Sequence, residues 1–584
     1  MRVKLRPGTH FAPVRQGVHF ARAGKAFVLA GPPTLYRLLD SRIDLLDAGT
    51  DSEALIAALG GEPARPVVEH VLRTLLAQDV LLDLDALTVP EPDPAAAARH
   101  AEVIGYLEAR SDDPYRVLAE LRAATVAVLG AGPAAEVLTR SLAAYGIGRV
   151  RADSGGAADA LTVLVDDADR PLDLDAALAG LPSDAAVLPV HAGARTAVVG
   201  AVTAAGAGTG AFAAAVHRAA GWAAADPESA APRPLSALLA GALAAHTALG
   251  ELSGLDRGRA PAAVYGREAR SAALAPPADP PLPRWEAVTA ATGAVTAPTG
   301  AVTAPTGAVT AEEPLTAERL TAAWAPLEAP RRGLWLRGRD LDLPQVPVPL
   351  ATATVVGTRT GQQPVRVAGW GTDRPSASLS TMLAAARRVA ALHRDPTAGV
   401  PAAGATRDHW LLDGALRVLG PEALALAPEA VLGWTDLDSA EQRTLWSLLD
   451  EYFGRNVRAV RHRLPGLSWV LTAVTDADGE VRAAEWGPSP TAATRTALAA
   501  AVAQAQADPA TRALLAGPAD PAGPVGPAVG TAELALAPGG AVRSLAAELS
   551  RAAADRGGAL RGERLRHDGV LGELPLFLGP VRLS

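Results

Sequence analysis

The sequence predicts an α/β multidomain protein, and three observations carry that expectation. The chain has 584 residues, too many for one ordinary core, so two to four domains are expected. Twice an apolar strand runs through a glycine turn into a helix: TVAVLGAGPAAEVL from Thr125, and VRVAGWGTDRPSASLSTMLAAARRVAALHRD from Val365. Between them lies TGAVTAPTGAVTAPTGAVTAEEP, a seven-residue repeat starting at Thr292, Thr299 and Thr306. Each unit carries Gly and most carry Pro, with no leucine seam, so it reads as a linker rather than a coiled coil. With PPADPPLPR before it, the linker spans 276–313. VPEPDPAAAARH, from Val89, closes a first block, which leaves folded blocks at 1–88, 113–275 and 314–584.

Composition removes whole classes of chemistry. Apolar residues make up 49% and aromatics 4%, so the cores must be Ala, Leu and Val. There is no cysteine, hence no disulfide, thiolate zinc site, iron–sulfur cluster or Cys nucleophile. The only lysines are Lys4 and Lys25, so no Walker lysine can follow a later glycine loop, and a Schiff-base lysine is equally hard to place. A net charge of −8 argues against a nucleic-acid partner. No run of 18 or more apolar residues is free of charge or proline, so no membrane span is expected. The start, MRVKLRPGTHF, lacks the apolar stretch of a secretory signal, which points to the cytoplasm. Among the 11 histidines there is no HExxH spacing, and no GxSxG elbow occurs; no metal ligand and no catalytic residue is assigned.

In the first block, VHFARAG and KAFVLAG read as two short strands. LYRLLDSRIDLLDAG follows with helical spacing, and TDSE at Thr50 opens a second helix. A third helix, 64–78, carries Val67, Val68, Val71, Leu72, Leu75 and Leu76, an apolar arc wider than one core contact needs. VLLDLD then reads as a strand or wing. One reading is a buried helix in a small winged fold. The other is a groove between this helix and the strand Lys25, Ala26, Phe27, Val28, Leu29, lined by Val68, Val71, Leu72 and Leu75, where an extended peptide could add as a further strand.

The second block opens on strand, turn, helix and strand. Gly130 and Gly132 allow the tight turn, and the helix start could face an anion. Ala135 replaces a third glycine, and Asp153 stands where an acidic ribose partner would follow the second strand. Asp166, Asp167 and Asp169 read equally as a solvated strand end. In the third block, Ser439-Ala440-Glu441-Gln442 is a capping box, followed by Leu445, Leu448, Leu449, Tyr452 and Phe453 at the spacing of one buried face. LSWVLTAV and EVRAAEWG flank TDADG as a hairpin, and GPSPTAATRTALAAAVAQAQ begins another helix. Arg461-His462-Arg463 and Arg566-His567-Asp568 are basic clusters that read as solvated loops or, alternatively, as contacts for an acidic peptide or partner.

These pieces resemble known families. The strand order, the LLD of the first helix and VLRTLLAQDVLLD resemble the PqqD-like winged-helix module, the recognition element of ribosomally made, modified peptides (RiPPs). AAYGIGRV, after the glycine loop, resembles the ThiF and ubiquitin-activating family. Ala211 and Ala214, before His217-Arg218, stand where that family has zinc cysteines, so that site is lost. The GWG turn with its helix, and WGPSPTAATRTALAAAVAQ, resemble a C-terminal YcaO α+β domain. Its glutamate and glutamine fall on Ala500 and Ala503, with Gln504 one place off, and there is no glutamate between Trp370 and Gly420. LPLFLGPVRLS lacks the Pro-x-Pro-x-Pro end of many members.

The combination resembles the ocin-ThiF-like partner proteins, or F proteins, of azole-forming and thiopeptide pathways. That resemblance implies a leader-peptide-binding scaffold, not an enzyme by itself, that recruits a precursor peptide to a separate YcaO cyclodehydratase and activates it. ATP and magnesium would then sit on the partner and no cofactor on this chain, within a hetero-oligomer that could contain a homodimer. The alternatives are an adenylating or cyclodehydrating enzyme with a divergent ATP site, and an NAD(P)-linked oxidoreductase using Gly130 and Gly132.

Overall fold

The computed structural model of the chain describes all residues except 153–159, 227, 229, 275–283, 290–314, 329–332, 339–342, 357–362, 394–398, 517–528, 567–573 and 584. Asp153, the seven-residue repeat and His567-Asp568 therefore lie outside the described residues. The fold is mixed α/β in two units: 1–212 with 231–273, and 213–230 with 274–584. The first unit holds two hydrophobic cores, one built from Val3 to Leu81 and one from Leu82 to Ala269. The stretch 213–230, assigned to the second block, belongs with the C-terminal unit, where the Trp222 indole N–H donates to the Gly333 carbonyl at 3.2 Å.

The first unit begins with the strand Arg2–Leu5, held between Thr50–Asp51 and Leu81–Asp83. His10–Val14, Gly17–Arg22 and Lys25–Ala30 form an antiparallel meander. Its last turn, Ala23-Gly24, has φ of 50° and 79°, the left-handed pair that a two-residue hairpin requires. Phe11, Phe20 and Phe27 stack across the three strands, with ring centroids 5.8 and 5.4 Å apart. The helix Arg65–Ala77 closes this core with Val68, Val71, Leu72 and Leu75. The single helix expected over 35–46 is two, Thr34–Asp40 and Ile43–Ala48. The Ser41 hydroxyl donates to the Leu38 carbonyl there, a local bond that competes with helix continuation.

The rest of this unit is a twisted sheet. Arg149–Arg151, Thr125–Leu129, Leu161–Asp167 and Ala186–Ala192 are parallel. Ala197–Val199, Ala262–Tyr265 and Arg270–Ala273 extend it antiparallel. The helices Pro133–Ala144 and Leu235–Ser253 approach closely: a Cβ on Gly241 would lie 2.3 Å from the Ala134 carbonyl oxygen. Leu235–Ser253 is long and apolar enough to cross a membrane by length and composition alone, although it contains Glu251. Ala237, Ala240, Ala244, Ala245 and Ala248 on it are wholly buried in the core beneath the sheet.

In the second unit, three strands end in the same device. Val365–Trp370, Val400–Gly404 and Val481–Gly487 each turn at a glycine into a helix: Arg374–Leu392, Arg407–Ala425 and Pro490–Gln506. A Cβ on Gly371, Gly404 or Gly487 would lie 2.3, 2.4 or 2.5 Å from the backbone nitrogen six residues on, so only glycine lets the helix turn back this tightly. Two residues after each glycine, Asp373, Thr406 or Ser489 caps its helix by accepting from the backbone N–H three residues further.

Three expectations change here. Arg284–Thr289, read as linker, is a strand paired with Leu560–Arg566, a partner too distant in sequence for composition to reveal. The Ser439 capping box forms as expected, but Leu448–Tyr452 winds as a wider π turn, which rotates Tyr452 out to 75% exposure while Trp446 is buried. Arg461 and His462 lie on the strand Val457–His462, with His462 buried, rather than in a loop.

Candidate functional site

Three places are candidates, and the first two carry the residues singled out by the sequence. The first is the strand Lys25–Ala30. In a two-residue hairpin, the pair closing the turn exchanges both backbone hydrogen bonds, and bonded pairs recur every second residue. With Arg22 opposite Lys25, the bonded pairs are Arg22–Lys25, Phe20–Phe27 and Val18–Leu29. The Gly31 N–H bond to the Gln16 carbonyl at 3.0 Å continues that register. Ala26, Val28 and Ala30 therefore turn their N–H and C=O groups to the other edge, which has no strand partner among the described residues.

The side chains expected to line this groove divide. Lys25, Ala26 and Val28 are exposed, Val28 at 42%, and Phe27 is half-buried in the aromatic stack. Leu29, Val68, Val71, Leu72 and Leu75 are buried in the module's own core and have no surface to offer a peptide. Their spacing marked the core stripe. The residues that the helix leaves at the surface lie off that stripe: Val67 at 51% exposure, Glu69, His70 and Arg73.

The second place is the glycine loop. Gly130 and Gly132 have φ of 106° and 112°, so both need glycine whatever they bind. A Cβ on Gly130 would stand 2.0 Å from the Val165 carbonyl oxygen, and one on Gly132 2.7 Å from the Asp167 carboxylate. The neighbouring strand fills the space over the loop. Asp167 is wholly buried, accepts from Arg233 at 2.6 Å and from the Asp169 N–H at 3.0 Å, and raises the Arg233 pKa. A phosphate at Gly132 would meet this carboxylate. Asp166 instead holds the His191 ring nitrogen at 2.7 Å.

The third place is in the C-terminal unit and was missed by sequence reasoning. A cavity of about 750 Å³ opens beside the Gly369–Gly371 turn, and its charged lining is Arg387, Arg388, Arg417, Arg495, Glu485 and Glu533. Buried Asp413 lies behind it. Asp413 accepts from Arg387 at 2.9 and 2.8 Å, Arg417 at 3.1 Å, the Thr531 hydroxyl at 2.5 Å and the Ala403 N–H at 3.0 Å. Burial works to raise its pKa, but Arg387 and Arg417 outweigh that and hold it at about 2. Glu533 accepts from Arg495 at 2.7 Å and Thr496 at 2.5 Å. Glu485 is different. Burial pushes its pKa up to about 7, against the Ala532 N–H at 3.2 Å and the pull of Arg417 and Arg387. A Cβ on Gly530 would lie 1.8 Å from its carboxylate oxygen, so glycine is what lets Glu485 fit.

Ala500 and Gln504 line this cavity, whereas Ala503 is buried in a core. Among the described residues no cluster of three or more His, Cys, Asp or Glu side chains could hold a metal ion. The signal for this site was present in the sequence: Arg387-Arg388 interrupts an Ala-rich helix, and Asp413 and Arg417 are four apart on an apolar one.

No protein-family model and no curated protein matches the sequence. Among solved structures the chain is similar to one described as "Heterocyclase in complex with substrate and Cofactor", with TM-score 0.59 and 15% identity over 99% of this chain and 94% of that one. At that identity the likeness is one of fold, and it runs the length of the chain. Structures of MccB from E. coli also align, one of them with succinimide, at TM-score 0.32 and 13% identity over 47% of this chain and 96% of that one. "Microcin C7 biosynthetic enzyme MccB in complex with N-formylated MccA" aligns at TM-score 0.32 and 13% identity over 47% and 96%.

Proposed function

We propose that the chain binds the leader of a ribosomally made precursor peptide and presents it to a separate, ATP-dependent YcaO cyclodehydratase in the cytoplasm. The partner would form thiazoline or oxazoline rings in a thiopeptide-type pathway. The observation that carries this reading is the free edge of Lys25–Ala30, with the N–H and C=O groups of Ala26, Val28 and Ala30 turned outward. An extended leader added there gains main-chain bonds, and holding it near the partner raises its effective concentration. Support for a non-catalytic role comes from the carboxylates. Asp413 and Glu533 are committed to arginines, and burial raises the Glu485 pKa to about 7, which disfavours a carboxylate set for magnesium. The NAD(P) reading draws nothing from a loop that Asp167 covers.

One observation favours a second reading. The full-length likeness to a heterocyclase that carries substrate and cofactor would suit a cyclodehydrating enzyme with a divergent ATP site. Leader binding and ATP turnover separate the two. Val28→Pro removes an outward N–H without touching the bonded pairs of the hairpin. Affinity for a fluorescein-labelled precursor leader peptide, selected for binding to the wild-type chain and measured by fluorescence polarisation, should fall at least tenfold while circular dichroism is unchanged. Unaltered affinity would remove strand addition. ATP hydrolysis by the chain alone with peptide present would replace the first reading by the second.

A further inference from the structure

We propose that a second copy of this chain docks on the helix Ala440–Ser447 and the π turn Leu448–Tyr452 that continues it, the two helices pairing antiparallel about a two-fold axis beside Ser447. This does not rest on leader binding. Among the described residues, Trp434 and Tyr452 are the large aromatic side chains left most exposed, at 44% and 75%. Both line one shallow groove of about 470 Å³ on the outer side of the helix. Exposed Trp and Tyr beside a groove are the residue types that form the centre of protein–protein contacts.

The spacing on the helix names the occupant. Gln442, Trp446 and Leu449 are buried on its inner side. The groove side carries two rows at i, i+4 and i+8: Arg443, Ser447 and Glu451, and beside them Thr444, Leu448 and Tyr452. Such rows are the ridges that pack one helix against another. The first row has a base at one end, an acid at the other and Ser447 midway, four residues from each. At 1.5 Å of rise per residue the two charges stand roughly 12 Å apart, too far to pair within one chain. Turned about a two-fold axis beside Ser447, Arg443 of each copy faces Glu451 of the other, and the small Thr444 and Ser447 let the helices come close.

Both charges are available for this. Glu451 is exposed and has no hydrogen bond or ion pair among the described residues. Arg443, also exposed, gives one terminal nitrogen to the Leu437 carbonyl at 2.7 Å and keeps its other donors. A partner of one sign of charge would match one end of the row and be repelled by the other, whereas an inverted copy matches both. Paired charges of this kind fix orientation and register, and the aromatic side chains supply the buried area. The contact is short, so association should be reversible and depend on concentration.

Sedimentation velocity on the full chain over a concentration series tests the face. The proposal expects a monomer–dimer equilibrium that Arg443→Glu and Glu451→Arg each weaken at least tenfold, with unchanged melting temperatures, because each sets like charges together at both ends of the seam. Mixing the two variants in equal amounts should restore the dimer, since every acid then meets a base. The lack of any native cysteine gives a second readout: a short bismaleimide should join two Ser447→Cys chains. A wild type that stays monomeric throughout, as it would if this face met a different protein, overturns the proposal. So does a dimer that neither charge reversal weakens, a mixture of the two variants that stays apart, or a Ser447→Cys dimer that the reagent does not join.

Discussion

The glycine loop after Thr125–Leu129 and the glycine turn after Val365–Trp370 are alike in sequence and opposite in use. Both are strand, glycine turn and helix. Over the first, the strand Leu161–Asp167 comes so close that its own carboxylate takes the space beside Gly132. Beside the second, a cavity stays open and arginines line it. A glycine pattern therefore reports how near another backbone approaches, and the ligand must be argued from the side chains around it. A glycine loop closed by an internal acid and a turn left open to arginines are different sites, whatever motif they share.

The largest expected effect tests the open site. Asp413→Ala leaves the half-buried Arg387 and Arg417 without their counter-charge, and should cost about 2–4 kcal/mol in denaturant unfolding. A loss below 1 kcal/mol would mean that the arginines are solvated and the cavity is not pre-organised. Next is Glu485→Gln, read against pH. The folded chain keeps the Glu485 proton up to about pH 7, while the unfolded chain releases it near its ordinary value of 4.5. The folded state binds more protons in that window, so this group's contribution falls as pH rises through it. The variant should match the wild type near pH 4.5 and exceed it by roughly 3 kcal/mol at pH 8. A constant difference across pH would break the assignment. Smallest is Gly130→Ala, which forces a positive φ and a contact with the Val165 carbonyl, and should cost roughly 1–3 kcal/mol. If it instead left stability intact, the loop would be free to open, and the contrast between the two turns would weaken.

How much of this was legible follows from the range of each interaction. The Ser439 capping box, the hairpin around TDADG and the glycine-led helices at Val365 and Gly487 rest on neighbours within a few residues, and periodicity found them. The helix Arg407–Ala425 repeats the same glycine-and-cap unit, but the strand that leads into it, Val400–Gly404, is short and carries no strong pattern. The strand Arg284–Thr289 was taken for linker because its partner is far away in the chain. Tyr452 kept helical spacing, but a π turn changed the phase. At the candidate sites, apolar spacing located the helix Arg65–Ala77 but selected its inward face. The charged lining of the arginine cavity draws on four helices and one strand, and no linear window contains it.

The unpaired rim of Lys25–Ala30 has a cost as well as a use. A bare ladder of amides is a template for any extended chain, another copy of this protein included, and such edges seed aggregation. Lys25, one of only two lysines in the chain, stands exposed at the start of that rim. A positive charge there keeps like edges apart until a proper occupant arrives, so neutralising it should make the free protein stickier and the occupied protein no less soluble.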